Sequence, residues 1–149
     1  MSMNFVLLTG GFDPPHSGHI NAMKMCNKIG NLIVAPNSDA WLTQKKGAAF
    51  LPLKERKVVL KNFSSVFEVL TDWDDSDGTA LQAIHKFHSR YHNAKGLLFF
   101  ANGGDRTPQN ANQEELNLCA ELGILPVFNV GGGKTASSSS FLRNWTVHH

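Results

Sequence analysis

Short apolar segments alternate with segments of helical pattern along the chain, and this alternation constrains the fold more than any other feature. The apolar segments occupy residues 4–9, 32–35, 66–70, 97–101 and 125–130. Each is four to six residues long and rich in Val, Leu, Ile or Phe, as is typical of parallel strands buried on both faces. The sequence therefore predicts five buried strands.

Helical segments follow the strands. They are predicted over residues 18–28, from Pro52 onward, and over residues 79–91, 114–122 and 138–145. Alternation of this kind predicts an α/β fold, a Rossmann-like, doubly wound, five-stranded parallel sheet. Ligands bind such a sheet at the carboxyl ends of its strands. The loops that follow the strands are therefore the candidate site.

Composition excludes several classes of protein. With 149 residues, of which 42% are hydrophobic and 17% charged, the chain fits one globular domain over residues 1–149 and not a disordered one. A net charge of +2 does not indicate a nucleic-acid partner. Cys26 and Cys119 have no metal-ligand motif beside them, so two buried thiols are expected. No apolar run approaches the ~20 residues that span a bilayer and no signal peptide is evident, so we expect a cytoplasmic protein without membrane contact.

The loop after the first strand is dense in glycine, proline and histidine, from Gly10 to His19. Its glycines allow the backbone to approach a phosphate closely, and a helix that begins near Gly18 directs its amide groups and positive dipole end at such an anion. His16 and His19 are three residues apart, and both could donate hydrogen bonds as charge builds in a phosphoryl-transfer transition state. The alternative is a turn-rich connection with two surface histidines.

Residues 10–19 resemble, without a gap, the signature G-x-F-D-x-x-H-x-G-H of the cytidylyltransferase-like nucleotidyltransferase superfamily. Lys45 and Lys46 resemble the family's basic loop, which holds the phosphates of substrate and nucleotide. Glu55 and Arg56 resemble its E-x-R helix start, although here they are adjacent and residue 54 is Lys. In length and layout the chain is similar to the compact glycerol-3-phosphate cytidylyltransferases and the heptose-phosphate nucleotidyltransferases.

The resemblance continues toward the C-terminus, with departures. Residues 102–106 stand in the place of the loop that frames the base, although Arg106 replaces a frequent aromatic residue. Residues 137–141 resemble the last motif, where hydroxyl groups take the triphosphate. The glycerol-3-phosphate branch places an arginine before that motif, so either Lys134 substitutes for it here or the contact is lost. An acidic stretch over residues 72–77 stands where that branch offers a lysine to its acceptor, which favours a different acceptor, such as one carrying an amine.

The resemblance implies an enzyme that transfers a nucleotidyl group to a phosphorylated alcohol and releases pyrophosphate, with CTP favoured as the nucleotide. It implies that His16, His19 and Lys46 are catalytic, and that Mg²⁺ bridges the phosphates, with Asp13 either a metal ligand or a turn cap. The implied nucleotide-binding residues are Gly10, Gly11, Phe12, Asp13, Gly18, Lys45, Arg56, Gly104, Asp105, Arg106, Lys134, Ser137, Ser138 and Ser139. A homodimer is common among proteins of this type and is expected here.

Two other functions are compatible with the sequence. An adenylyltransferase would use ATP on a similar phosphorylated acceptor. A non-catalytic nucleotide-binding module could use the same fold, since a fold alone does not establish activity. The presence of both histidines, Lys46 and the serines of 137–140 argues against the second alternative.

Overall fold

The computed structural model describes residues 3–104, 106–132 and 143–144. Five parallel strands form one sheet in the order β3-β2-β1-β4-β5. The strands are β1 (Phe5–Gly10), β2 (Asn31–Pro36), β3 (Val66–Val69), β4 (Leu98–Gly103) and β5 (Leu125–Val130). This confirms the predicted α/β fold and places every predicted strand within two residues of its expected bounds.

Helices α1 (Ser17–Ile29), α2 (Asp39–Lys46), α3 (Leu53–Lys61), α4 (Leu81–Tyr91) and α5 (Gln113–Leu122) connect or follow the strands. Four of them match the predicted helices. The fifth predicted helix, over 138–145, lies outside the described residues except for Arg143 and Asn144, which are helical.

The sheet is buried on both faces by different helices. Alternating residues of β1 separate the two cores, since Val6 and Leu8 pack on one side and Leu7 on the other. The first core includes Met23 and Cys26 of α1 and Leu60 of α3. The second core includes Ile84 and Phe87 of α4 and Leu118 and Cys119 of α5. Apolar side chains on both faces explain why the strands read as nearly continuous apolar runs.

The direction of strand order reverses at β1. The chain moves from β1 to β2 and β3 on one side, and then crosses to β4 and β5 on the other. Parallel sheets bind ligands at the carboxyl ends of the strands that flank such a reversal. The loops after β1 and β4 are therefore the central part of the candidate site.

Helix α2 was not predicted, and its presence corrects the expectation that Lys45 and Lys46 lie in a basic loop. The Ser38 hydroxyl caps its first turn by accepting a hydrogen bond from Trp41 N at 3.0 Å. Gly47 ends it in the left-handed region, with φ of 93°. Both lysines thus occupy the last helical turn, where cations interact favourably with the helix dipole. Leu42 is the one buried residue of α2. The helix therefore lacks the apolar stripe from which the other helices could be predicted.

Both cysteines are free and buried, as predicted. Burial raises the pKa of Cys26 to about 12, and burial together with the charge of Glu115 raises the pKa of Cys119 to about 12. Neither thiol is therefore a nucleophile at neutral pH. None of the helices in the described part of the chain has the length and apolar character needed to cross a bilayer.

Candidate active site

The glycine loop after β1 is folded tightly against its neighbours. Gly10 O accepts a hydrogen bond from Asn37 N at 2.8 Å, which ties the ends of β1 and β2 together. A Cβ at Gly11 would lie 3.0 Å from Leu42 of α2, so the loop and this helix are in close contact. Phe12 has a positive φ of 51° and is buried. A bulky residue adopts this backbone conformation only where packing holds it there.

His16 and His19 form a reciprocal capping box at the start of α1. His16 Nδ1 accepts from Gly18 N at 3.1 Å, and His19 Nδ1 accepts from His16 N at 3.1 Å. The two imidazole rings stack with centroids 3.9 Å apart. In place of the usual Ser and Glu, both capping positions are histidines, so one arrangement both stabilises the helix and brings the two rings together.

The capping bonds fix the tautomer of both rings. A neutral imidazole has one donor and one acceptor nitrogen, and each Nδ1 here accepts from a backbone amide. The proton of each neutral ring is therefore on Nε2, which is the hydrogen-bond donor. Two such donors lie at the amino end of α1, whose dipole also favours an anion.

Gly18 leaves room for the His16 ring. A Cβ at Gly18 would lie 3.0 Å from His16 Cε1 and 3.2 Å from its Nδ1, closer than ordinary van der Waals contact. The ring can therefore lie over the first turn of α1 because residue 18 has no side chain. The glycine of the H-x-G-H pattern is thus explained by the space that the histidine ring occupies, and not by a backbone angle that only glycine adopts.

Asp13 is buried and connects the glycine loop to the segment after α2. Its carboxylate accepts from Phe50 N and Leu51 N, each at 2.6 Å, and forms an ion pair with Lys46 Nζ at 2.8 Å. Lys46 also donates to the Asp13 carbonyl at 3.0 Å. Burial alone would raise the pKa of Asp13, but the bonds from Lys46, Leu51 and Phe50 outweigh it, so this pKa lies below its ordinary value.

These contacts bear on the two roles considered for Asp13. Both carboxylate oxygens accept hydrogen bonds from the protein, so the side chain joins two segments of chain. No group of three or more His, Cys, Asp or Glu side chains that could hold a metal occurs among the described residues. The hydrogen bonds and the ion pair of Asp13 support a positioning role, and its role as a metal ligand stays a prediction.

Arg56 was predicted to contact phosphate, but the structure places its guanidinium in the interior. The residue is 0% exposed, and its nitrogens donate to the carbonyls of Gly11, Asn37 and Leu51 at 2.7–2.9 Å. It also pairs with Asp39 Oδ1 at 2.7 Å. Since the guanidinium is fully buried and four of its five N–H groups donate to protein acceptors, we correct the prediction of a direct phosphate contact.

The other predicted binding residues lie in different environments. Lys45 is exposed, and its Nζ lies 4.7 Å from the centroid of the Trp41 ring. After β4, Gly104 adopts a positive φ of 59° and donates to Val130 O, which brings the ends of β4 and β5 together. Arg106 is exposed beside it. The remaining predicted binding residues lie outside the described part of the chain: Asp105, Lys134, Ser137, Ser138 and Ser139.

The acidic stretch after β3 is used within the fold. Asp72 pairs with Lys86 at 2.9 Å, Asp74 accepts from Ser76 N, and Asp77 accepts from Thr79 N. Asp75 is buried and bonded to the segment after β2. Asp72, Asp74 and Asp77 nevertheless remain exposed, so an acceptor that carries an amine stays a prediction.

Sequence analysis missed the polar segment Asn37, Ser38 and Asp39, which follows β2. The buried Asp75 carboxylate accepts from Asn37 Nδ2 at 3.1 Å, Ser38 N at 2.7 Å and Ser38 Oγ at 2.6 Å. Asp39 accepts from Leu53 N at 2.8 Å as well as from Arg56. The available signal was the position of three helix-capping residue types at the carboxyl end of a predicted strand.

The sequence profile of the cytidylyltransferase-like family matches residues 7–127. Ethanolamine-phosphate cytidylyltransferase of Arabidopsis thaliana is 37% identical over 68 residues, which are 45% of this chain and 16% of that protein. The bifunctional protein HldE of Hahella chejuensis is 35% identical over 82 residues, which are 53% of this chain and 17% of that protein. The similarity thus spans 16–17% of the length of these relatives.

A solved structure has the same fold. The crystal structure of the lipopolysaccharide core biosynthesis protein from Thermoplasma volcanium GSS1 superposes with a TM-score of 0.65 and 18% identity, covering 90% of this chain and 100% of that one. The profile match spans the glycine loop, the two stacked histidines, Lys46 and Arg56. This chain therefore belongs to the cytidylyltransferase-like family of nucleotidyltransferases.

Proposed function

We propose that this protein transfers a nucleotidyl group, CMP from CTP by preference, to a phosphorylated alcohol and releases pyrophosphate. The observation that carries the proposal is the capping box of His16 and His19. It sets two Nε2 donors at the amino end of α1, beside the reversal of strand order. This position suits an anion on three grounds, namely the two donors, the helix dipole and the closely folded glycine loop.

The proposed reaction needs no covalent residue. An oxygen of the acceptor's phosphate attacks the α-phosphorus in line, the bond from that phosphorus to the β-phosphate oxygen breaks, and pyrophosphate leaves. The attacking oxygen is already ionised at neutral pH, so no general base is needed. The protein contributes positioning and stabilisation of the charge that builds on the phosphates.

His16 and His19 would bind the α- and β-phosphates through Nε2. Lys46 would supply a positive charge to the α-phosphate or to the acceptor. Its Nζ is held by Asp13, and the side chain keeps 17% of its surface exposed. Asp13 thus orients the ammonium group of Lys46. Mg²⁺ would arrive as part of the nucleotide substrate, and we assign it no ligand in the protein.

Two comparisons support CTP. The matching family is named for cytidylyltransferases, and one relative is an ethanolamine-phosphate cytidylyltransferase. Transfer of AMP from ATP is the competing activity at the same site. We also expect a homodimer, which light scattering of the purified protein would test.

The test is release of pyrophosphate by the purified protein, with CTP or ATP in the presence of Mg²⁺. The panel of acceptors should include ethanolamine phosphate, glycerol 3-phosphate and sugar phosphates. We expect release that depends on both an acceptor and a nucleotide, with CTP the better nucleotide. A faster reaction with ATP would replace the cytidylyl assignment by the adenylyl one. Binding of nucleotide without release for any pair, by protein shown to be folded, would support the non-catalytic module instead.

A further inference from the structure

We propose that Arg56 is a positioning residue, whose buried guanidinium sets the relative placement of three chain segments at the proposed site without touching substrate. The segments are the glycine loop (10–16), the segment after β2 (37–39) and the segment after α2 (47–52). This inference rests on the proposed nucleotidyl transfer, because it assigns Arg56 a role in the geometry of that site.

The hydrogen bonds of Arg56 reach all three segments. Nη1 donates to Gly11 O at 2.9 Å and to Asn37 O at 2.7 Å. Nε donates to Leu51 O at 2.9 Å. These carbonyls belong to segments separated by up to 40 residues of chain, since they lie at positions 11, 37 and 51. One side chain therefore fixes the distances between backbone segments that have no common strand or helix.

The ion pair of Arg56 orients helix α2. Nη2 contacts Asp39 Oδ1 at 2.7 Å, and Asp39 is the first residue of α2. Lys46 is the last residue of the same helix, and Leu51 follows it closely. Arg56 thus holds the start of α2 directly and the segment beyond its end through Leu51. The position of Lys46 relative to the glycine loop depends on both attachments.

Asp13 makes a second connection between two of these segments. Its carboxylate accepts from Phe50 N and Leu51 N and also binds Lys46. Both backbone polar groups of Leu51 are therefore bonded, its N–H to Asp13 and its carbonyl to Arg56. Asp13, which also orients Lys46, thus connects the glycine loop to the segment after α2.

A lysine at position 56 could not make these contacts. The planar guanidinium presents five N–H donors in a fixed fork, whereas an ammonium group presents three from a single nitrogen. Arg56 uses three nitrogens to reach three carbonyls and one carboxylate. Arg56→Lys would keep the positive charge and leave some of these buried acceptors unpaired, so the segments would separate.

The experiment compares Arg56→Lys and Asp39→Asn with Arg90→Lys as the matched control. Arg90 also forms an arginine–carboxylate pair, with Glu68 at 2.8 Å, but its side chain is half exposed. The pair joins α4 to β3, away from the proposed site. Two quantities are measured well below the melting temperature. The first is the steady-state rate, as kcat per folded molecule and KM for the nucleotide. The second is hydrogen exchange at the amides of Asn37, Phe50 and Leu51.

We expect Arg56→Lys to lower kcat at least about tenfold with a smaller change in KM, as for misplaced catalytic groups, and to speed exchange at those three amides. Asp39→Asn should have a smaller effect of the same kind, and Arg90→Lys none. Unchanged kcat and exchange in folded Arg56→Lys would overturn the proposal, as would a large rise in KM with kcat intact. If Arg56→Lys does not fold, Asp39→Asn decides by the same two measurements. If the wild type releases no pyrophosphate, the proposed function fails, and the exchange data alone decide whether Arg56 holds the segments.

Discussion

Replacement of His16 by Ala and by Asn separates the two roles that the structure gives this residue. His16 Nδ1 is the cap of α1, through its bond from Gly18 N at 3.1 Å. Loss of an N-cap side chain costs about 1 kcal/mol, and Asn is among the best capping residues. His16→Ala should therefore lower the free energy of unfolding by about 1 kcal/mol, and His16→Asn should restore most of it.

Catalysis should respond differently. Neither Ala nor Asn can place a donor where the Nε2 of His16 lies, and loss of one preorganised donor costs about 10²-fold or more in turnover. Both variants should therefore lose turnover to a similar extent, although one of them keeps the helix cap. The ranking by stability and the ranking by activity thus differ, which a general disruption of the fold could not produce.

The assays are urea unfolding followed by circular dichroism and pyrophosphate release under saturating nucleotide. His88→Asn is the control, because His88 also stacks on a second histidine, His92, with centroids 5.3 Å apart, but on α4. It should leave turnover unchanged. Wild-type turnover in His16→Asn would refute the role of the imidazole, and equal stability of the Ala and Asn variants would refute the role of the cap.

Three further predictions follow from contacts in and near the site. Gly18→Ala should reduce turnover, because its Cβ would lie 3.0 Å from the His16 ring. The free energy of unfolding should change by less than about 1 kcal/mol, since the helix propensity of Ala opposes the crowding; a fully active variant would show that the ring adjusts freely. Lys46→Met should raise the pKa of Asp13, which is lowered in the folded protein. In the wild type, the stability from that carboxylate is present above its unfolded-state pKa and is lost as pH falls through its lowered folded-state pKa. Without Lys46 the two pKa values lie closer together, so urea unfolding between about pH 3 and pH 7 should show a smaller loss of stability on acidification in the variant than in the wild type. Both cysteines, whose pKa burial raises to about 12, should resist thiol reagents at about pH 8 until the protein unfolds.

The sheet could be predicted from the sequence because its determinants are local. A strand buried on both faces needs an apolar run, and residues 32–35 and 97–101 have that pattern. His16 and His19 could be predicted for a related reason, since three residues of one helical turn suffice to bring them together. The stacked rings and the reciprocal caps are built within the motif itself.

The buried polar contacts could not be predicted in the same way. Arg56 depends on carbonyls of residues 11, 37 and 51, which meet only after β1, β2 and α2 have packed. A sequence pattern marked Arg56 as important without distinguishing a phosphate contact from a structural one. Asp13 posed the same difficulty, because its partners Phe50 and Leu51 are backbone amides, which any residue type would supply.

The most direct test of the central claim is a ³¹P NMR spectrum of CTP, Mg²⁺ and a phosphorylated alcohol incubated with the wild-type protein. Nucleotidyl transfer predicts that the triphosphate signals are replaced by those of pyrophosphate and of a diphosphate diester, and that the folded His16→Asn variant leaves them in place. Unchanged triphosphate with every acceptor and with either CTP or ATP would contradict the account. So would its conversion to inorganic phosphate and nucleoside diphosphate, because that result is hydrolysis at a different phosphorus atom.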